Sequence, residues 1–247
     1  MDSVVSADGT ELGYRVRGDG PPVVLVHGTS GSKAHMGRLA RALADDFRVV
    51  TYDRRGRGDS GDADEYDFQR ELEDLRAVVD AVDGDPVVFG HSFGGLIALS
   101  AAPDLDADRL VLSEPAVLVD DYHETLSDRI RERIAAGDRE GAVEAFFETV
   151  GTIGAVSQQV VDRAATIVET IAREIEVVES SDVDDPETGL PTLLVIGEHG
   201  PDHLKRAVDY LEAELEDAER VEIPNTGHMA VITDPERVAA VIREFAD

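Results

Sequence analysis

The sequence predicts an α/β protein with a mostly parallel, doubly wound sheet and a helical insertion, and three observations carry that reading. Largely apolar runs at 23–26, 47–52, 87–89 and 109–113 alternate with stretches whose apolar residues recur at helical spacing. Such runs suit strands buried on both faces by crossover helices. The second observation is a glycine-bracketed serine, Gly90-His91-Ser92-Phe93-Gly94-Gly95, lying between one of these strands and the next helical pattern. The third is that the strand–helix rhythm stops after residue 118, where helical patterns follow one another, and resumes near residue 187.

Each element has a local reason. Asp8-Gly9 is a turn dipeptide between apolar residues at 4–5 and 12–16, which reads as a hairpin. Pro21-Pro22 introduces the strand 23–26, and this ends in His27-Gly28-Thr29-Ser30-Gly31-Ser32, a loop of small residues. Met36, Leu39, Ala40 and Leu43 then share a helical face over 36–44. The strand 47–52 runs into Asp53-Arg54-Arg55-Gly56-Arg57-Gly58-Asp59-Ser60, and Leu72, Leu75, Val78, Val79 and Val82 line one face of a helix over 68–82. Pro86 restarts the chain into the strand before Ser92, and Glu114-Pro115 closes the strand 109–113. Helices are expected over 122–136, 139–150 and, as one long element, 157–179. A strand at 192–196, a helix at 201–218, a strand at 219–223, a loop holding His228 and a helix at 235–246 complete the chain. The expected organisation is a core of 1–118 and 187–247, interrupted by a helical insertion, 119–186, over the strand ends.

Charge excludes whole classes of partner. Acidic residues outnumber basic ones 53 to 23, a formal net charge of −30, and the only lysines are Lys33 and Lys205. So negative a surface repels nucleic acid and anionic membranes, and it repels itself. Ions at molar concentration shorten the Debye length to about 3 Å and relieve that repulsion. The carboxylates are spread along the whole chain, as in halophilic cytoplasmic proteins, and are not gathered in a tail. Cysteine is absent, which removes disulfides and thiolate metal sites. The N-terminus lacks a basic-then-apolar leader pattern and no apolar run is long enough to span a bilayer, so a cytoplasmic location is expected.

The chemistry concentrates at Ser92. Glycines two positions to either side remove side chains that would collide in a tight strand-to-helix turn, leaving the hydroxyl raised at a helix N-terminus. A phosphate-binding turn needs a different glycine and lysine order. His228 follows the last strand in an Asn225-Thr226-Gly227 loop. His91 reads as pocket lining or packing, and His35, His123, His199 and His203 form no metal-ligand pattern.

Taken together, Leu25-Val26-His27-Gly28, Asp53–Ser60, Gly90–Gly95 and Gly227-His228, in this order on successive strand ends, resemble the α/β-hydrolase superfamily. The resemblance implies an α/β-hydrolase fold with the insertion as a cap and His27 as a loop-shaping residue. It further implies a cofactor-independent enzyme in which Ser92 attacks a carbonyl carbon and His228 shuttles the proton. The backbone N–H groups of Thr29 and Phe93 would form the oxyanion hole. The family's usual acid, an aspartate before proline after the strand 192–196, is replaced here by Gly200 in Gly197-Glu198-His199-Gly200-Pro201-Asp202. Glu114, at the end of the preceding strand, is the favoured substitute, as in a subgroup of the family. Asp202 is the alternative, although a helix start accounts for an acidic residue there, and Glu198 is a third candidate. The expected activity is hydrolysis of an ester or related acyl bond of a small to medium substrate by a monomer or homodimer. Carbon–carbon hydrolysis and cofactor-free peroxidation share this triad. The displaced acid also motivates the alternative of a ligand-binding or sensing protein with little turnover.

The charge balance yields a direct prediction. Desalting from molar potassium chloride is expected to abolish the folded circular-dichroism signal, and an unchanged spectrum would defeat the expectation.

Overall fold

The computed structural model describes residues 2–246 apart from 64, 120–124, 152–155 and 182. β1 (Asp2–Val5) and β2 (Glu11–Arg17) form the expected antiparallel hairpin, with Asp8 accepting from the Thr10 N–H at 3.0 Å in the turn. β2 also pairs antiparallel with β4 (Arg48–Tyr52). All further pairings are parallel: β3 (Pro22–Val26) lies between β4 and β5 (Val87–His91), followed by β6 (Arg109–Ser113), β7 (Thr192–Gly197) and β8 (Ala218–Ile223). Among the described residues these eight strands form one sheet in the order β1-β2-β4-β3-β5-β6-β7-β8.

Alternation along the central strands divides the core into two layers. Val24, Val26, Val88, Leu110, Leu112 and Leu194 point to one face, covered by α2 (Phe68–Asp80), α3 (Phe93–Ala101) and α8 (Asp202–Glu214). Val23, Leu25, Phe89, Val111 and Leu193 point to the other, covered by α1 (Gly37–Leu43) and α10 (Pro235–Ala246). Burial on both faces explains why these strands read as unbroken apolar runs.

Between β6 and β7 lie α4 (Leu126–Ala135), α5 (Arg139–Thr149), α6 (Gln158–Ala165) and α7 (Val168–Ser180), which share a separate apolar cluster around Ile130, Phe146, Val168 and Ile171. The expected start of the first helix, at 122, lies outside the described residues. The single helix expected over 157–179 is two helices. Thr166 turns its hydroxyl back onto the Arg163 carbonyl at 2.7 Å, and Ile167, at φ −122°, leaves helical geometry. Two adjacent β-branched residues favour such a break. α8 stops at Glu214, where Leu215 becomes extended and feeds β8. A short helix, α9 (Ala230–Thr233), falls in the stretch expected to be loop.

The charged loop after β4 points inward and anchors the four-helix segment. Arg55 holds Asp74 of α2 through Nε at 2.8 Å and Nη2 at 2.7 Å. Arg54 Nη2 donates to Glu71 of α2 at 2.6 Å and to Glu174 of α7 at 2.7 Å, and Arg57 Nη2 donates to the same Glu174 oxygen at 2.7 Å. All of these side chains are buried. The arginines of this loop are therefore paired inside the protein with carboxylates of α2 and α7.

Removing one member of a buried pair strands its partners without water, at a cost of about 3–5 kcal/mol. Glu174→Gln is accordingly expected to lower unfolding stability by about 3 kcal/mol at high salt. Glu176→Gln, which breaks the exposed pair with Arg131 on the same helix, should change it by less than about 1 kcal/mol. Similar denaturant midpoints for both variants would contradict the account.

Candidate functional site

The strand-to-helix turn from β5 into α3 puts Ser92 at φ 55° and ψ −122°. A non-glycine residue there is strained, and the surroundings hold it in place. Ser92 N–H donates to the Ser113 carbonyl at 3.0 Å, and the Ser92 carbonyl accepts from Gly95 at 2.8 Å and Ala116 at 3.0 Å. The flanking glycines are sterically required. A Cβ on Gly90 would lie 2.4 Å from the Gly94 carbonyl oxygen, and one on Gly94 would lie 2.5 Å from that of Val26.

Glu114 follows β6 directly, at φ 46°, and its N–H continues the ladder to the Val195 carbonyl at 2.9 Å. Its carboxylate crosses toward the end of β7. Oε1 accepts from the Gly197 N–H at 2.8 Å, and Oε2 accepts from His228 Nδ1 at 2.6 Å. Burial pushes this carboxyl up, but the hydrogen bond and charge of His228, with the Gly197 N–H, outweigh it and hold the group below the ordinary carboxylate range. The donor role of Nδ1 leaves Nε2 of His228 free to accept a proton.

The same carboxylate explains Gly200. A Cβ there would come within 2.5 Å of Glu114 Oε1, so a side chain at this position and Glu114 in its present place exclude each other. Asp202 is exposed, in the first turn of α8. Glu198 accepts from the Asn225 N–H at 2.7 Å.

The remaining histidines have distinct settings. His91 lies with its ring centroid 4.7 Å from that of His228 and donates from Nε2 to the His228 carbonyl at 2.8 Å. Burial, with the neighbouring His228 charge, pushes its pKa down to about 3, so His91 stays neutral. His27 accepts from the Arg54 N–H at Nε2, 3.1 Å, and donates from Nδ1 to the Gly28 carbonyl at 2.9 Å, which fixes the loop after β3. His35 Nδ1 accepts from the Ser32 N–H at 2.9 Å. His199 is exposed, His203 is half-buried and His123 lies outside the described residues.

Thr29 lines the same cavities as Ser92, and Phe93 follows Ser92 as the first residue of α3. Gly28 packs so close that a Cβ on it would fall 2.9 Å from Ser92 Cβ, which brings Thr29 beside the Ser92 turn. Phe93 is fully buried at the start of α3, with the Arg54 guanidinium 4.6 Å from its ring centroid. Ser92 opens onto two cavities that share Thr29, Phe146 and Val150 as walls: one of about 300 Å³ bounded also by His228, and one of about 60 Å³ on the other side. The site thus brings together Ser92, His228 and Glu114 at the carboxyl ends of β5, β6 and β8. Sequence reasoning missed Glu174, whose buried carboxylate anchors α7 above the Thr29 loop and carries no local signature.

Among the described residues no cluster of potential metal ligands occurs, and no helix is long and apolar enough to cross a membrane. Known proteins place this arrangement in context. An α/β hydrolase from Sphaerobacter thermophilus superposes with a TM-score of 0.83 at 32% identity, covering 100% of both chains. A pyrrolizixenacetamide deacetylase from Xenorhabdus hominickii is 28% identical over 99% of this chain and 97% of its own. A 2-hydroxy-6-oxo-6-(2'-aminophenyl)hexa-2,4-dienoic acid hydrolase from Metapseudomonas resinovorans is also 28% identical, over 99% and 90%. The model of the alpha/beta hydrolase family matches residues 23–241. The sheet order, the tight turn at Ser92 and this match agree: the chain belongs to the alpha/beta hydrolase family and is an enzyme of that kind.

Proposed function

We propose that the protein is a serine hydrolase that cleaves an ester or related acyl bond through a Ser92–His228–Glu114 triad. The observation that carries this reading is the buried 2.6 Å hydrogen bond from His228 Nδ1 to Glu114, beside a serine held on a strained turn. Glu114 orients the imidazole and stabilises its protonated form, so that Nε2 takes the Ser92 proton as Oγ attacks the carbonyl carbon. The N–H groups of Thr29 and Phe93 receive the oxyanion, each worth about 3 kcal/mol in the transition state. His228 then protonates the departing group, and water hydrolyses the acyl-enzyme by the same route in reverse. Every proton transfer in this scheme uses the chain's own groups, so the chemistry is complete without a cofactor. Residues 119–186 act as a cap over the core, and a small to medium substrate is enclosed beneath it.

Glu114→Gln is expected to fold and to lose turnover by about 10⁴-fold, the size seen when a triad acid becomes an amide. Asp202→Asn should stay within about twofold of the parent, as an exposed helix-start substitution. The inverse pattern would move the acid to Asp202. A fluorophosphonate should label Ser92 at molar potassium chloride and fail to label His228→Ala. An inert Ser92 in folded parent protein would refute the hydrolase mechanism.

A further inference from the structure

The two cavities at Ser92 differ in size and in their relation to His228. The larger, about 300 Å³, is walled by His228, His91, Phe147, Val160 and Met229. The smaller, about 60 Å³, is walled by Ala116, Leu118, Leu126, Ile175, Val178 and Leu204, and His228 does not reach it. Phe146 and Val150, like Thr29 and Ser92, line both.

Proton delivery assigns the two halves of a substrate to these spaces. The departing oxygen must receive its proton from His228, whereas the acyl group stays on Ser92 Oγ and needs no proton donor beside its chain. The departing group therefore lies on the His228 side, in the larger cavity, and the acyl chain points into the smaller one. With about 60 Å³ against about 300 Å³, the smaller cavity suits only a short acyl chain. The larger is within the range of pockets that enclose an aromatic small molecule, and its walls are mainly apolar.

Resting on the serine-hydrolase reading above, we propose that the substrates are short-chain acyl esters of bulky apolar alcohols. The Ser92 Oγ–acyl bond forms as the acyl–alkoxy bond breaks, and the serine proton passes through His228 to the alkoxy oxygen, releasing the alcohol. Water then adds to the acyl-enzyme, giving one proton to His228, which returns it to Ser92 Oγ as the short-chain acid departs. The restriction on acyl length comes from Leu126 of α4 and Ile175 and Val178 of α7, so the helical insertion sets the specificity.

A pair of isomeric esters isolates the assignment, because 2-phenylethyl acetate and methyl 3-phenylpropanoate contain the same atoms with the large group on opposite sides. At molar potassium chloride, kcat/KM is expected to favour 2-phenylethyl acetate by at least about tenfold, the size of a misfit of one or two methylenes or more. Ile175→Ala, which opens the smaller cavity, should narrow that ratio. Val160→Trp, which fills the larger one, should lower kcat/KM for 2-phenylethyl acetate relative to ethyl acetate. Equal or reversed preference between the isomers, with Ser92 still labelled by a fluorophosphonate, overturns the assignment and leaves the hydrolase reading intact. Loss of both ester hydrolysis and labelling in the folded protein overturns both.

Discussion

The Glu114 carboxylate joins two neighbouring strands and a loop that comes from the far end of the chain. It leaves β6 at a positive φ, takes an N–H from the last residue of β7 and accepts the His228 ring. An ionised group this deeply buried persists only when its oxygens are paired, and charge-assisted hydrogen bonds of this kind contribute about 1.5–3 kcal/mol each. The pairing of Ser113 with Val195 sets the starting point of the side chain, because β6 and β7 must be adjacent and in register for a glutamate to bridge them. The order of the sheet, the φ of Glu114, the bare Gly200 and the orientation of His228 thus follow from one another.

The parts of the fold that were legible in the sequence are those with local causes. Unbroken apolar runs marked the central strands because both faces are covered, and the glycines around Ser92 marked the elbow because any Cβ there meets backbone. Gly200 registered only as a missing acid. The reason for the glycine, the Glu114 oxygen already in that space, depends on a contact with a residue from another strand. Glu114 itself could be nominated because it ends the strand next to the elbow, whereas Glu174 could not. Its arginine partners lie 117 and 120 residues away, and on α7 it is one acidic residue among several. Apolar periodicity also continued through Thr166-Ile167, so the break between α6 and α7 left no trace in spacing.

The loop after β4 shows why charge density alone is a poor guide to a site. Asp53, Arg54, Arg55 and Arg57 would suit an anion if they faced solvent. Inside the protein, Asp53 accepts from the Lys33 and Asp59 N–H groups, and the arginines are taken up by Glu71, Asp74 and Glu174. The positively charged planes hold the strand ends and the inserted helices at fixed separation, and Arg54 also stacks against Phe93 beside Ser92.

The depth of the Glu174 contact bears on how the protein responds to its ionic medium. Dissolved ions weaken charge pairs they can approach, such as Arg131 with Glu176, which are about half exposed. Arg54 and Glu174 have no exposed side-chain surface, so no counterion can come between them. A chain with a formal net charge of −30 thus fastens its inserted helices by a contact that dissolved ions do not reach. The position of α7 against the loop after β4 is thereby insulated from changes in ionic strength.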